Sequence, residues 1–447
     1  MLERLRRIRI TIEPTTIVLV GWAFFLVYAY PGYMSTDSVD QLNQARAFHF
    51  TDWHPPLMAY EWALLELFIT GPFGMLLVQS ALFFFGVHLL LARVATPRTA
   101  AIAAVIVCLF PPVATTMAVI WKDSQMAGYL VMGAALIISP RRRIRGLGYA
   151  CLFVACGMRY NAAAAIAPLV FYALRLPMRW WKRLGVTALI TIALFFSSSW
   201  LGELLTDEHQ YPWSSSLALM DLSGTIRELG PASDDEIRDE LEGCPLAIHD
   251  HLYQQIYATY NPRTWWYLTH GDQRIFDPPA TDEQRAAIAR AWRRMVFGHP
   301  RAYFTHRRRV FWHLLGSKQG DEELWSSVYH NITEDPMWIP ILHHDAKPAA
   351  FQRWEQKWLD RHMNDRMFRP YLYFWATVLA LIVCGVLVRT GELALLASGL
   401  LYELSYLVVA PSPDNRYSHW MFTMFTLAGM RSLLDARAAA RRRSSPP

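Results

Sequence analysis

The stretch GMLLVQSALFFFGVHLLLA at residues 74–92 decides the fold. It contains no aspartate, glutamate, lysine or arginine. A bilayer core about 30 Å thick is crossed by roughly 17–25 mostly apolar residues in a helix. Windows of the same character recur at 14–30, 100–120, 124–139, 146–158, 161–174, 184–202, 370–388, 392–411 and 417–434. The expected fold is therefore an all-α polytopic membrane protein of about ten transmembrane helices. The 447 residues are 53% hydrophobic and 18% charged, against about 25% charged in an average soluble domain. That composition excludes a disordered chain, a collagen and a disulfide-rich secreted scaffold.

Charge placement orients the helices. Residues 203–368 hold 25 Asp/Glu and 18 Lys/Arg, so the rest of the chain is strongly basic. With ten spans, one side collects 20 basic residues. These are Arg4, Arg6, Arg7, Arg9, Arg93, Arg98, Arg141–Arg143, Arg145, Arg175, Arg179, Lys182, Arg183, Arg389 and the tail from Arg431 to Arg443. Short loops on the other side carry only Arg46, Lys122, Arg159 and Arg416. The positive-inside rule then puts both termini in the cytoplasm and residues 203–368 outside. Merging the short pair 146–158 and 161–174 would give nine spans and a basic tail outside, against that rule. An arginine-rich start suits a signal peptide, but the first apolar run is long and no small-x-small site follows it.

Three parts follow: a transmembrane module 1–202 with an outer loop at 31–73, an extracytoplasmic domain 203–368, and C-terminal helices with a basic tail, 369–447. In the outer loop, Pro55-Pro56 leads into an apolar helix, Leu57–Phe68, too short to span. It is expected along the interface with its Trp and Tyr at headgroup level. The large segment reads as helical at Asp234–Glu242, Thr281–Phe297 and Pro300–Leu315. Four cysteines lie in apolar runs and Cys244 stands alone, with no zinc or redox spacing. No basic stripe interleaved with aromatics argues for nucleic acid.

Polar residues cluster on the expected outer face. Asp37 and Asp40 follow the first span; Ser35, Thr36 or Asp37 could equally begin a helix as its N-cap. His54 stands before Pro55-Pro56, either as a turn residue or as a donor to a phosphate or hydroxyl. Lys122 and Asp123 sit at a helix end, where snorkelling and capping are the plain alternatives. Arg159-Tyr160-Asn161 separates the two short helices. A guanidinium at that depth needs an anion, either a partner carboxylate or a bidentate phosphate. Asp414-Asn415-Arg416-Tyr417 links the last two windows, and Glu403 in the preceding helix is expected to pair with Arg416. Met220–Gly224 is a polar break in an apolar run. His306-Arg307-Arg308-Arg309 reads as a solvated helical face, with one or two side chains able to reach the membrane surface and a lipid phosphate, and Asn331-Ile332-Thr333 as a chance glycosylation sequon. Acids that can activate a hydroxyl, and cations that can hold a lipid phosphate, thus share one face.

In order and spacing, Asp37, His54-Pro55-Pro56 with its interface helix, Lys122-Asp123, Arg159–Asn161 and Asp414–Tyr417 resemble an integral-membrane glycosyltransferase of the GT-C class. The nearest pattern is that of bacterial relatives of the protein-O-mannosyltransferase and aminoarabinose-transferase families. The resemblance covers about 1–180 and 370–430; 203–368 matches no family pattern. It implies a polyprenyl-phosphate sugar donor, a glycan, lipid or protein acceptor, and the outer face of a bacterial cytoplasmic membrane. It also implies that Asp37 is the base, with Asp40 or Asp123 as a second acid, since Ser38 replaces the family's adjacent acid. That departure leaves a divalent metal open, and no other cofactor is implied. Lys122, Arg159 and Arg416 would hold the donor phosphate; His54, Tyr160, Asn161, Glu403, Asp414 and Tyr417 would contact substrate. A direct displacement would invert the anomeric carbon. Rival readings are an O-antigen polymerase or ligase working through His306–Arg309, and a lipid or solute transporter or flippase using Arg159 and Glu403. The transporter reading lacks an inverted repeat.

Overall fold

Where no water reaches the backbone, helices satisfy their own N–H and C=O groups, and the chain follows that rule. A computed structural model describes residues 13–174, 177–316, 350–362 and 365–444. It is all-helical, 75% helix, with no strand among the described residues. Arg4, Arg6, Arg7, Arg9 and Arg175, which entered the orientation reading, and the sequon Asn331-Ile332-Thr333 lie outside the described residues.

In chain order the helices are α1 (Pro14–Ala29), α2 (Thr36–Ala47), α3 (Leu57–Glu66), α4 (Phe73–Leu91), α5 (Pro97–Cys108), α6 (Pro111–Met117), α7 (Lys122–Ile137), α8 (Arg142–Met158), α9 (Ala162–Ala173) and α10 (Trp180–Leu205). A second group follows: α11 (Ala218–Leu229), α12 (Asp234–Glu240), α13 (Leu252–Thr259), α14 (Asp282–Gly298) and α15 (Pro300–Leu314). The last are α16 (Ala350–His362), α17 (Pro370–Val386), α18 (Thr390–Val409) and α19 (His419–Ser444). Helices α4, α10 and α18 are long and apolar enough to cross a membrane. The pair α5–α6 makes a fourth if its 73° bend belongs to one span. Helices α1, α9 and α17 are apolar but shorter. Every window read from the sequence holds helix, but three or four spans are what length and composition establish.

The bend at 108–111 has a chemical cause. Pro111 and Pro112 carry no N–H and cannot continue the ladder of α5. The chain turns again after α6, and buried Gln79 of α4 donates to the carbonyls of Met117 (2.6 Å) and Val119 (3.0 Å) that the turn frees. Close approach of α4 and α7 rests on small residues. A Cβ added at Gly128 would stand 2.7 Å from the Gln79 carbonyl oxygen, and one at Gly86 2.8 Å from the Met132 nitrogen.

Of the two aromatics of α3, Tyr60 is half-buried and Trp62 is withdrawn from any interface. Trp62 is fully buried and donates to the Gly71 carbonyl (3.1 Å), while Leu64, Leu67 and Phe68 are exposed. Amphipathic aromatics favour an interface only when nothing else offers burial and a hydrogen bond together, and the turn at Gly71 offers both.

The helical group α11–α15 packs on the loop end of the bundle. Its core centres on Asp221 of α11. That carboxylate accepts from Trp292 (2.8 Å), His306 (3.0 Å) and Arg307 (3.2 Å), and Tyr260 bonds the other ring nitrogen of His306 (2.7 Å). Arg307 then donates to the carbonyls of Leu407 (3.0 Å) and Ala410 (2.9 Å) at the end of α18. A helix C-terminus leaves carbonyls unpaired and carries partial negative charge, so this guanidinium is a natural dock. The solvated-face reading of His306–Arg309 therefore fails for two of its residues: His306 is 0% and Arg307 1% exposed. Arg309 pairs with Glu228 at 2.7 Å. The charge run follows helix spacing, and one of its faces meets a buried acid that a linear reading does not reveal.

Candidate functional site

Two backbone contacts assemble the site. Tyr33 N–H donates to the Ala118 carbonyl (3.0 Å) and Ile120 N–H to the Tyr33 carbonyl (2.9 Å). These pin the loop after α1 against the loop before α7. Ser35 is the N-cap of α2, in a capping box with Ser38, and Ser38 Oγ donates to the Ile120 carbonyl (2.7 Å). Capping thus falls to Ser35 and leaves the Asp37 carboxylate for other partners. Trp121 Nε1 donates to Ser35 Oγ (2.6 Å), which fixes the indole under Arg416, whose guanidinium lies 4.6 Å from its ring centre.

Asp37 meets a guanidinium on one side and an imidazole on the other. Arg416 reaches its Oδ2 at 2.6 Å, and His54 Nε2 lies 3.7 Å from Oδ1. Burial works to raise this carboxyl, but Arg416, then His54 and Lys122, outweigh it and hold it well below the usual 3.8. His54 is itself lowered from 6.5, by burial first and then by Lys122. Lys122 Nζ is 2.5 Å from His54 Nδ1. Burial, and then Arg159, lower the Lys122 ammonium to about 7; its N–H donates to Nδ1, which leaves the ring proton on Nε2, facing Asp37. Arg416 also contacts Asp414 (2.8 Å) and Asp123 (3.9 Å). Burial raises the Asp414 carboxyl above 3.8 against the pull of Arg416.

Behind this layer lies a second one. Asp123 is 1% exposed and bound at 2.8 Å by Arg159, which also donates to Tyr406 Oη (2.7 Å). The Tyr417 ring stacks on Tyr406 with centres 4.7 Å apart, and the Arg159 guanidinium lies 4.5 Å from its centre. Three carboxylates, Asp37, Asp123 and Asp414, thus face three cations, Lys122, Arg159 and Arg416.

Several expectations change here. Glu403 does not pair with Arg416. It is fully buried and accepts from Ser418 Oγ at 2.7 Å, while Arg416 turns to the nearer acids of its own loop and of α2. Asp123 does not cap α7, whose N-cap is Trp121 with no side-chain bond. Arg159 takes the partner-carboxylate option. Asn161 donates to Ser405 (3.1 Å) and Tyr160 packs edge-on to Phe195, both away from Asp37. Asp40 is exposed one turn from Asp37 and accepts from Gln44 (2.7 Å).

Asp37, Asp40 and His54 open into a cleft of about 670 Å³. Its far wall comes from the outer helical group: Gln210, Ser215, Trp265, Trp266 and His270. Trp265 stands 5.5 Å from Trp53 of the first loop, and Trp266 stacks on His270 with ring centres 3.4 Å apart. Asp52 holds the two walls together, accepting from the backbone N–H of Gln210 (2.5 Å) and Tyr211 (3.2 Å). This wall is absent from the sequence reading. The Trp-Trp pair at 265–266 is its one visible signal, and nothing in the spacing ties it to Asp37.

Among the described residues, no three His, Cys, Asp or Glu side chains gather to hold a metal. No family model, curated protein or solved structure matches the chain.

Proposed function

We propose that the protein is a membrane glycosyltransferase of the GT-C type, moving a sugar from a polyprenyl-phosphate donor to an acceptor hydroxyl. In this reading all ten helical windows count as spans and both termini are cytoplasmic. Residues 203–368 then lie outside a bacterial inner membrane. The observation that carries the proposal is the position of Asp37: a carboxylate at the mouth of an aromatic-walled cleft, touching a nearly buried arginine at 2.6 Å. Aromatic faces suit the apolar C–H surface of a sugar ring, and an arginine suits a phosphate.

The chemistry follows from the competition for Arg416. With Arg416 on it, Asp37 is a charged but weak base. A donor phosphate offers Arg416 a stronger, bidentate anion. As the guanidinium turns to the phosphate, Asp37 loses its main stabilising cation and gains basicity. It then takes the acceptor proton late, as the hydroxyl attacks the anomeric carbon. Arg416 and Lys122 meet the charge that grows on the leaving phosphate. Asp123 and Arg159 act from behind, by fixing Tyr417 and so Arg416. The polymerase reading loses support, because His306 and Arg307 are sealed in the outer helical group.

The test offers purified protein a panel of polyprenyl-phosphate sugars and reads release of polyprenyl phosphate, with wild type and Asp37→Asn side by side. Turnover that collapses in the variant while donor binding persists supports the reading. Full turnover in Asp37→Asn moves the base to Asp40, and absence of donor binding to wild type overturns the transferase.

A further inference from the structure

At the opposite end of the bundle, two neighbouring cavities share the side chain of Tyr172 in their linings. One, of about 690 Å³, is bordered by Arg93, Arg145, Arg431 and Ser139. The other, of about 750 Å³, is bordered by Phe171, Leu184, Leu393 and Leu401 among other apolar side chains. Their distance from Asp37 is legible in the helices. From Lys122 to Ile137, α7 runs 16 residues, about 24 Å at 1.5 Å per residue. Helix α9 starts beside Asn161 and ends at Ala173, at the edge of the arginine cavity.

Three guanidiniums border the polar cavity and no carboxylate lines it. Arg431 forms an ion pair with Glu392 at 3.5 Å, an acid it shares with Arg389 at 2.7 Å, and its buried Nε makes no hydrogen bond. Arg145 donates to the carbonyls of Ser139 (3.1 Å) and Pro140 (3.0 Å), which fixes it at the rim. Arg93 is exposed beside it, and Arg145 is half-buried. Arg183 closes the apolar side, its guanidinium 4.2 Å from the Phe171 ring centre and bonded to the Phe171 and Tyr172 carbonyls that end α9. Clustered cations need an anion, and basic pockets between helices at the membrane surface bind lipid phosphates. An apolar groove that opens beside such a pocket suits an acyl chain.

We propose that these neighbouring cavities together form a binding site for an anionic phospholipid, with its phosphate among Arg93, Arg145 and Arg431 and an acyl chain passing Tyr172 to lie along α9, α10 and α18. The site is separate from the Asp37 cleft and stands whether or not the protein transfers sugars.

The full chain in detergent, titrated with dioleoyl-phosphatidylglycerol or dioleoyl-phosphatidylcholine, is read by native mass spectrometry for bound lipid. Phosphatidylglycerol is retained in preference, and Arg93→Gln with Arg145→Gln weakens it about tenfold or more. Ala397→Trp, which fills the apolar cavity and leaves the arginines, weakens it as well; thermal melting of each variant checks that it folds. Equal retention of both lipids, or unchanged retention in both variants, overturns the site. Glycerol 3-phosphate that displaces the lipid at equal concentration overturns the lipid as the ligand and leaves a soluble phosphate ester.

Discussion

Two clusters in this molecule use the same three residue types and come to different ends. Asp37, His54 and Arg416 meet at the cleft; Asp221, His306 and Arg307 meet inside the outer helical group. In the second, all three side chains are 2% exposed or less, and Asp221 has three donors. In the first, the Asp37 side chain is 33% exposed and leans on one close arginine. The sealed triad has its acid and its histidine committed and leaves one arginine nitrogen, Arg307 Nη2, without a partner, and a buried charge held by several partners is an anchor. The open triad keeps capacity for a ligand. Acid, histidine and arginine in proximity therefore say little about function until access and partner count are known.

The comparison breaks most visibly under exchange of the two acids. Asp37→Asn is expected to lower turnover by about 10²–10⁴-fold, the usual worth of a general base, while the protein still folds. Asp221→Asn should do the reverse in a combined activity and melting assay, and loss of turnover without loss of stability there would erase the distinction. Next in size, Arg307→Ala leaves Asp221 and the ends of α18 without their cation. It should cost about 3–5 kcal/mol, seen as a shifted denaturation midpoint. Smaller again, Trp265→Ala removes one aromatic wall of the cleft and should raise KM by up to about tenfold with kcat nearly kept.

The smallest effects are in pH. Asp37 titrates well below 3.8 when folded, so its contribution to stability is present above the unfolded value and fades only as pH falls below it. Asp37→Asn and wild type should therefore melt in parallel from neutrality to about pH 4 and converge below that. Glu61 shifts the other way. Burial raises it from 4.5 to about 7, against the hydrogen bond from Tyr129. Its contribution is complete below 4.5 and is lost as pH rises through about 7. Glu61→Gln should flatten the melting temperature across that window, and an unchanged slope would place the titration elsewhere.

Helices at all ten windows were readable from apolar run length, a helix cap among Ser35, Thr36 and Asp37 from their side chains, and the shared face of Asp37, His54, Lys122 and Arg416 from charge placement. These are local properties, and a segment's hydropathy does not depend on its neighbours. The Glu403 partner, the burial of Trp62 and the sealing of His306 and Arg307 were not readable, because each depends on how turns and helices fold back on one another: Glu403 meets Ser418 across the last turn, Trp62 meets the Gly71 carbonyl, and His306 meets Asp221, 85 residues away. The same holds for the wall of the cleft, where Trp265 meets Trp53 across more than two hundred residues. Sequence by itself determined which segments are helical and which polar residues sit near helix ends, since spacing and composition govern both. Only the tertiary structure decided which of two like triads is open and which is closed. Exposure is a property of packing, and packing pairs surfaces that the chain order keeps apart.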